Sequence, residues 1–378
     1  MSAVLPTQGV RVPGLPDPIL FWSALALSLL GVVMVGSASV EYAESISGNP
    51  WHFQIRHAIY WMMAAGAGGV FAAIDPQWFH RHSQKFYWLG LALLIAVFLP
   101  GIGKTVNGST RWLNLGILNL QASEVAKLCL TFYIASFLVR FGKEAVDTFW
   151  GFLRPVIVTT LYGALLLMEP DLGAFVIMFG MVLCVLFLAG TRVWIWAMML
   201  VAAAFLVFLA IKFADYRTKR VMVLLDPWQY RFSEAYQLTQ ALLAFGQGGW
   251  FGTGLGNSVQ KQFYLPEAHT DFLFAILAEE LGLIGALSVV AIFATVVWRS
   301  FAIARMAEHA GQFFNAYVAY CCALLFAAQA AVNMGVNTGL LPTTGLTLPF
   351  MSYGGSSLLV SGIMLGLLQR IRYEVDHA

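Results

Sequence analysis

Long apolar runs separated by short polar breaks dominate this chain. Bounded by charges or by Gly and Pro, they fall near 19–40, 56–74, 86–100, 123–140, 151–168, 171–190, 193–213, 271–298, 311–333 and 355–370. One bilayer crossing takes roughly 20 helical residues, and shorter helices suffice where the walls are protein. The pattern predicts an all-α, polytopic membrane protein with about ten transmembrane helices, built as one domain over 1–378. Residues 1–18 precede the first run as a Pro-rich tail with one cation, Arg11. That run is too long for a signal-peptide core, although Ser37-Ala38-Ser39 resembles a cleavage site.

The segment 212–270 is too long and too patterned for a plain connector. Its 213–224 stretch mixes Arg217, Lys219 and Arg220 with Phe213, Val221 and Met222, as an interfacial amphipathic segment does. Leu238, Ala241, Leu242 and Phe245 then recur at helical spacing, which predicts a short surface helix ending at Gly246. Gly248-Gly249 and the glycines at 252, 254 and 256 read as a flexible turn region rather than a phosphate loop, because no strand precedes them.

Composition changes the picture only by exclusion. With 60% hydrophobic and 11% charged residues and a mean hydropathy of +0.76, a soluble domain is implausible and a polytopic membrane protein is the default. A net charge of +2 gives no basis for a nucleic-acid partner. Cys129, Cys184, Cys321 and Cys322 all fall inside apolar runs without metal-ligand spacing and read as small buried hydrophobes.

Lys and Arg in the short loops set the orientation. A cytoplasmic N-terminus puts Arg81, Lys85, Arg140, Lys143, Arg154, Arg192, Arg299 and Arg370 inside and returns the C-terminus to the cytoplasm. Two outer loops, 101–127 and 212–261, disobey the rule: with the helix-boundary residue Arg56 they hold Lys104, Arg111, Lys127, Lys212, Arg217, Lys219, Arg220, Arg231 and Lys261. Such a concentration suits a large anionic ligand, and beside a membrane a phosphate-bearing lipid is the natural candidate.

Acids gather at the same face. The run Tyr264 to Phe272 brings Glu267, His269 and Asp271 to the start of an apolar stretch that itself carries Glu279 and Glu280. Acids inside a membrane helix are costly and mark a site or an internal network. Asp271 opens the eighth run, where a capping role would also explain it. Glu124 and Lys127, three residues apart, project from one helix face; they serve a site or form a structural ion pair. Glu169-Pro170-Asp171 occupies a tight outer turn. One histidine without a second at helical spacing argues for an orienting role of His269 rather than metal ligation.

Seven stretches, in order, resemble the SEDS family of bacterial cell-wall polymerases: Gly108 to Trp112, Leu120 to Lys127, Glu169 to Gly173, Gly254 to Ser258, Leu265 to Phe272, Ala278 to Gly282 and Pro349 to Ser357. The run 256–261 and the Pro-rich start are more similar to the division branch than to the elongation branch. Two positions depart from the pattern: Ala122, where the family often has proline, and Glu169, where it often has glutamine. The resemblance implies polymerisation of lipid II into glycan strands outside the bacterial cytoplasmic membrane at the division septum, with release of undecaprenyl pyrophosphate. It implies Asp271 as general base on the acceptor hydroxyl, with inversion at the donor. Arg111, Lys127 and Arg231, with a divalent cation (Mg or Mn) as a further candidate, would meet the leaving pyrophosphate. Glu124 would hold Lys127, Trp112 would pack on lipid or sugar, His269 and Thr270 would orient the approach, and Ser352 and Tyr353 would line the mouth. A class B penicillin-binding protein is the implied partner. A transporter that flips lipid II and a non-catalytic divisome scaffold are the competing readings.

Overall fold

The computed structural model describes residues 16–106, 109–114, 119–213, 218 and 222–377. Its helices are α1 (Pro18–Ser47), α2 (His52–Ala73), α3 (Pro76–Ala96), α4 (Ala122–Asp147), α5 (Phe149–Met168), α6 (Leu172–Leu188), α7 (Val193–Lys212), α8 (Tyr236–Gly248), α9 (Leu273–His309), α10 (Phe313–Asn337) and α11 (Gly355–Asp376). Every expected apolar run lies in a helix, and the short helix expected near Leu238 is α8. α1, α4, α5, α9 and α10 are each long and apolar enough to cross a bilayer, and α2 with α3 passes the same test as a pair bent by 109°. The others are shorter, like the 17-residue α6, or more polar, like α11 with Gln369, Arg370 and Arg372. Of the expected amphipathic segment 213–224, residues 214–217 and 219–221 lie outside the described residues, as do Arg11 and most of the N-terminal tail.

Close packing is set by glycine. α11 crosses α2 where a Cβ on Gly362 would stand 2.3 Å from the Ala64 carbonyl oxygen and one on Gly366 would stand 2.0 Å from that of Gly68. Only residues without a side chain let two backbones approach so closely, the usual device for joining helices where lipid supplies no hydrophobic driving force. Asp17 ties one end of the bundle together: its backbone N–H donates to Gln369 Oε1 at 2.9 Å, and its carboxylate pairs with Arg299.

Two features were not foreseen. The loop after α3 carries a three-stranded antiparallel sheet, β1 (Gly103–Val106), β2 (Ser109–Asn114) and β3 (Asn119–Gln121), in which Lys104 faces Trp112 and Trp112 faces Gln121. The second is a break in α9 at Gly282, which adopts φ 70° and ψ −172°. The carbonyls and amides freed there are taken by the glycine-rich loop. Thr253 N–H donates to Glu279 O at 2.9 Å and Gly254 N–H to Glu280 O at 3.1 Å, while Leu283 N–H donates to Gly249 O at 2.9 Å. The loop expected to be flexible is therefore held by backbone pairing, and its glycines serve close approach: a Cβ on Gly252 would lie 2.1 Å from the Glu280 carbonyl oxygen.

The same clasp explains Glu279 and Glu280. Glu279 accepts from Ser258 Oγ at 2.5 Å and from Val259 N–H at 2.9 Å. Glu280 accepts from Ser37 Oγ of α1 at 2.6 Å and from Lys261 Nζ at 2.9 Å. Lys261, counted among the outer cations on sequence, is thus a buried partner of a helix carboxylate rather than a surface charge. The buried Gln329 donates instead to Glu124, at 3.4 Å.

Candidate active site

Asp271 lies in the turn before α9, which starts at Leu273 with no side-chain cap at Phe272. The capping role open to it on sequence belongs to another residue: Asn337 Oδ1 of α10 accepts the first-turn Ala275 N–H at 3.1 Å. Asn337 and Asn333 also donate through their Nδ2 groups to the Asp271 carbonyl, both at 2.9 Å, and Asn333 donates to Leu346 O at 2.6 Å. Two amides one helical turn apart thus fix the backbone of Asp271 and the loop after α10 against each other. The carboxylate is left to face an open cavity of about 860 Å³.

That cavity is bounded by α2, the sheet, the turn 267–272 and the loop 343–357. Arg56, Lys104 and Arg111 line it as cations, and Glu267 and Asp271 as acids. The cross-strand row Lys104, Trp112 and Gln121 presents a charge, an aromatic face and an amide side by side. Arg111 is aimed by the α5–α6 turn, its Nε donating to Glu169 O at 3.1 Å and its Nη2 to Pro170 O at 2.5 Å. The other guanidinium nitrogen converges with Asp271 on Gly345. A Cβ there would lie 3.6 Å from Asp271 Oδ2 and 3.7 Å from Arg111 Nη1, and Gly345 sits at φ +77°. Burial, with repulsion from Glu267 and Asp171, pushes the Asp271 carboxyl up to about 7 against the opposing pull of Arg111. The cation that restrains the shift is Arg111.

Of the residues singled out on sequence, Arg111, Trp112, Thr270, Asp271 and Tyr353 line the cavity. Thr270 Oγ1 donates to Glu267 Oε2 at 2.8 Å and so holds the second acid in place. Glu124 and Lys127 lie off the cavity wall as a 2.7 Å ion pair with side-chain exposures of 5% and 2%, so their arrangement is that of a structural pair. His269 is buried behind the site, its ring 4.6 Å from that of Phe53 and 5.6 Å from that of Tyr353, and its carbonyl accepts from Tyr353 N–H at 3.0 Å. Burial lowers its pKa, which suits a neutral spacer. Ser352 Oγ is also turned inward, accepting from Leu348 N–H at 3.0 Å. Arg231 is exposed over the Phe232 ring, 4.7 Å from its centroid, and is not part of the cavity wall. Arg56, Lys104 and Glu267, named on sequence only among the charged groups of the outer face, also line the cavity, and the site residues that sequence did not name are Gln121, Asn333 and Asn337. Asn333 and Asn337 did leave a signal, two amides at i and i+4 at the end of an apolar run. Among the described residues no group of three or more His, Cys, Asp or Glu could hold a metal. A divalent ion here would share Asp271 or Glu267 with the phosphates of a ligand.

A helical membrane bundle with a polar cavity, in which one carboxylate stands among cations, has the build of a membrane enzyme. The comparisons give its family. A family model described as cell cycle protein, covering FtsW, RodA and SpoVE, matches residues 18–377. The chain is 50% identical over 358 residues to the probable peptidoglycan glycosyltransferase FtsW of Hahella chejuensis, covering 95% of this chain and 90% of that one. It is 47% identical to that of Coxiella burnetii, covering 93% and 95%. Among solved structures it resembles a chain of a peptidoglycan synthase complex that coordinates polymerization and crosslinking, with a TM-score of 0.78 at 26% identity over 96% of this chain and 99% of that one. It also resembles the rod shape determining protein RodA of Thermus thermophilus, with a TM-score of 0.70 at 26% identity over 95% and 97%. The chain belongs to the FtsW/RodA/SpoVE family and is an enzyme of its FtsW branch.

Proposed function

We propose that this protein is a peptidoglycan glycosyltransferase that polymerises lipid II at the outer face of the cytoplasmic membrane during cell division, with both termini cytoplasmic and the cavity outward. The observation that carries the reading is the Asp271 carboxylate, raised to about 7 and facing a cavity with three cations on its walls. A general base works best with a pKa near the operating pH, where it is ionised often enough to act and basic enough to accept a proton. Asp271 takes the proton of the acceptor sugar hydroxyl as its oxygen attacks the donor anomeric carbon, and the bond to the undecaprenyl pyrophosphate oxygen breaks with inversion. Pyrophosphate is a good leaving group, so one carboxylate suffices where glycosidases use two. Arg111, Arg56 and Lys104 meet the negative charge that develops on it, the electrostatic contribution that dominates such sites. A divalent ion, held by Glu267 with the phosphates of the substrate, would add to that charge stabilisation and leave Asp271 free as the base. Similarity to a chain of a synthase complex supports a class B penicillin-binding partner.

The transporter reading drew on acids inside a membrane helix that could line a path. Glu279 and Glu280 are the acids placed for it, and both are occupied in the clasp. The test is polymerisation of labelled lipid II by purified protein with its cognate partner. Asp271→Asn should lower the rate by about 10²–10⁴-fold, the range for a lost general base. In the parent the rate should rise with pH through about 7, because the base must be ionised. Normal polymerisation by Asp271→Asn would remove the base assignment, and no polymer from the parent under any metal condition would remove the enzyme reading.

A further inference from the structure

The turn that aims Arg111 contains a carboxyl group with no donor to meet it. Glu169 is 1% exposed, and neither of its side-chain oxygens has a hydrogen-bond partner. The backbone donors of the turn are already committed. The Glu169 N–H goes to Leu165 O, the Asp171 N–H to Leu166 O, and position 170 is a proline without an N–H. Arg111 uses Nε and Nη2 on the carbonyls of Glu169 and Pro170 rather than on the carboxyl group. An ionised carboxylate in that setting would be buried without a hydrogen bond, which proteins avoid by keeping the proton. The charged groups around it are Arg111 on β2 and Asp171 in the same turn, whose carboxylate caps α6 at Ala174 N–H at 3.1 Å and accepts from Ser123 Oγ. On α4, which reaches the turn through Ser123, the Glu124–Lys127 pair is closed on itself. The loop 338–352 brings no Asp, Glu, Lys, Arg or His.

We propose that Glu169 is a positioning residue that works in its protonated, neutral form, so that the Arg111 guanidinium is held by backbone carbonyls and its charge stays directed at the cavity. If Glu169 lost its proton, a buried anion next to Arg111 would compete with the cavity ligand for the same guanidinium. This rests on the polymerase reading of the cavity. Burial and the adjacent Asp171 push the carboxyl up to about 8, so the proton is present at neutral pH and leaves on the alkaline side. A neutral glutamine, the residue resembling sequences often carry here, would do the same work without the alkaline limit.

The experiment is a pH series of lipid II polymerisation by the protein with its partner, for the parent, Glu169→Ala and Glu169→Gln, together with infrared spectra of each. The parent should lose rate as pH rises through about 8. Glu169→Ala, which removes support from the turn, should be about tenfold slower, within the range for small misplacements near a site. Glu169→Gln should recover that loss and abolish the alkaline fall. In the infrared, the parent should show between about pH 7 and about pH 9.5 the loss of a protonated-carboxyl C=O stretch over and above that of Asp271, and this extra band should be missing from Glu169→Gln, in which only the Asp271 band titrates, through about 7. An alkaline limb unchanged in Glu169→Gln, or a Glu169→Gln rate as low as that of Glu169→Ala, overturns the proposal. If the parent makes no polymer, the polymerase reading fails, and the infrared band alone decides whether Glu169 holds its proton.

Discussion

Replacing Lys261 by Met tests whether the clasp at the break in α9 holds the loop that leads to Asp271. Lys261 and Glu280 have side-chain exposures of 8% and 0%, so solvent screening removes little of their interaction. Nζ donates to Glu280 Oε1 at 2.9 Å, to Ser37 Oγ at 3.1 Å and to the Gly256 carbonyl at 2.6 Å. The methionine preserves the stem but leaves Glu280 with Ser37 as its remaining donor. Breaking one side of a buried pair costs about 3–5 kcal/mol, because the surviving charge stays desolvated. The lost bond to Gly256 adds about 1 kcal/mol. Thermal unfolding in detergent and limited proteolysis of 249–264 would both report the change, since the loop is released with the clasp. Lys261→Met combined with Glu280→Gln should recover most of the loss, because a glutamine amide can still bond Ser37 and no charge is stranded. Arg154→Met is the control: its bridge to Glu144 is more than half exposed on both sides and should change stability by less than about 0.5 kcal/mol. A single Lys261→Met variant as stable as that control, or a double variant no better than the single, would refute the reasoning.

Gly282→Ala should destabilise strongly, since φ is +70° and the new Cβ would stand 2.3 Å from the backbone nitrogen of Gly252, whereas Gly246→Ala, in a helix with open space around it, should be neutral or stabilising by up to about 1 kcal/mol; unfolding midpoints compare the two. Asn337→Ala leaves the Asp271 carbonyl with Asn333 alone and the Ala275 N–H with only the Phe272 carbonyl, so stability should fall by about 1 kcal/mol and the polymerisation rate by about tenfold. A rate unchanged in Asn337→Ala would show that Asp271 is positioned by other contacts.

How far the site could be read depended on the distance over which each contact acts. Asp271, Arg111, Trp112, Thr270 and Tyr353 were found because acids, cations and aromatics at the ends of apolar runs are conspicuous in one dimension. Lys127 and Arg231 were grouped with Arg111 because sequence supplies sign and rough location but not direction. The Lys127 side chain turns inward onto Glu124, three residues away, and Arg231 stays on the surface over Phe232. Lys261 looked like another outer cation until its partner, 19 residues on, was visible.

By itself the sequence determined the membrane class and the position of every main helix, because helix length and hydrophobicity are local properties that the bilayer imposes on any chain. Family membership was also legible, through seven short motifs in order. Tertiary structure alone decided that α9 is broken at Gly282 and closed by a glycine loop, that Asn337 rather than Asp271 caps that helix, and that Arg111 rather than Lys127 faces the carboxylate. Each of those outcomes depends on which donor reaches a given acceptor first. The competing residues lie tens to hundreds of positions apart in the chain and become neighbours only when the helices pack.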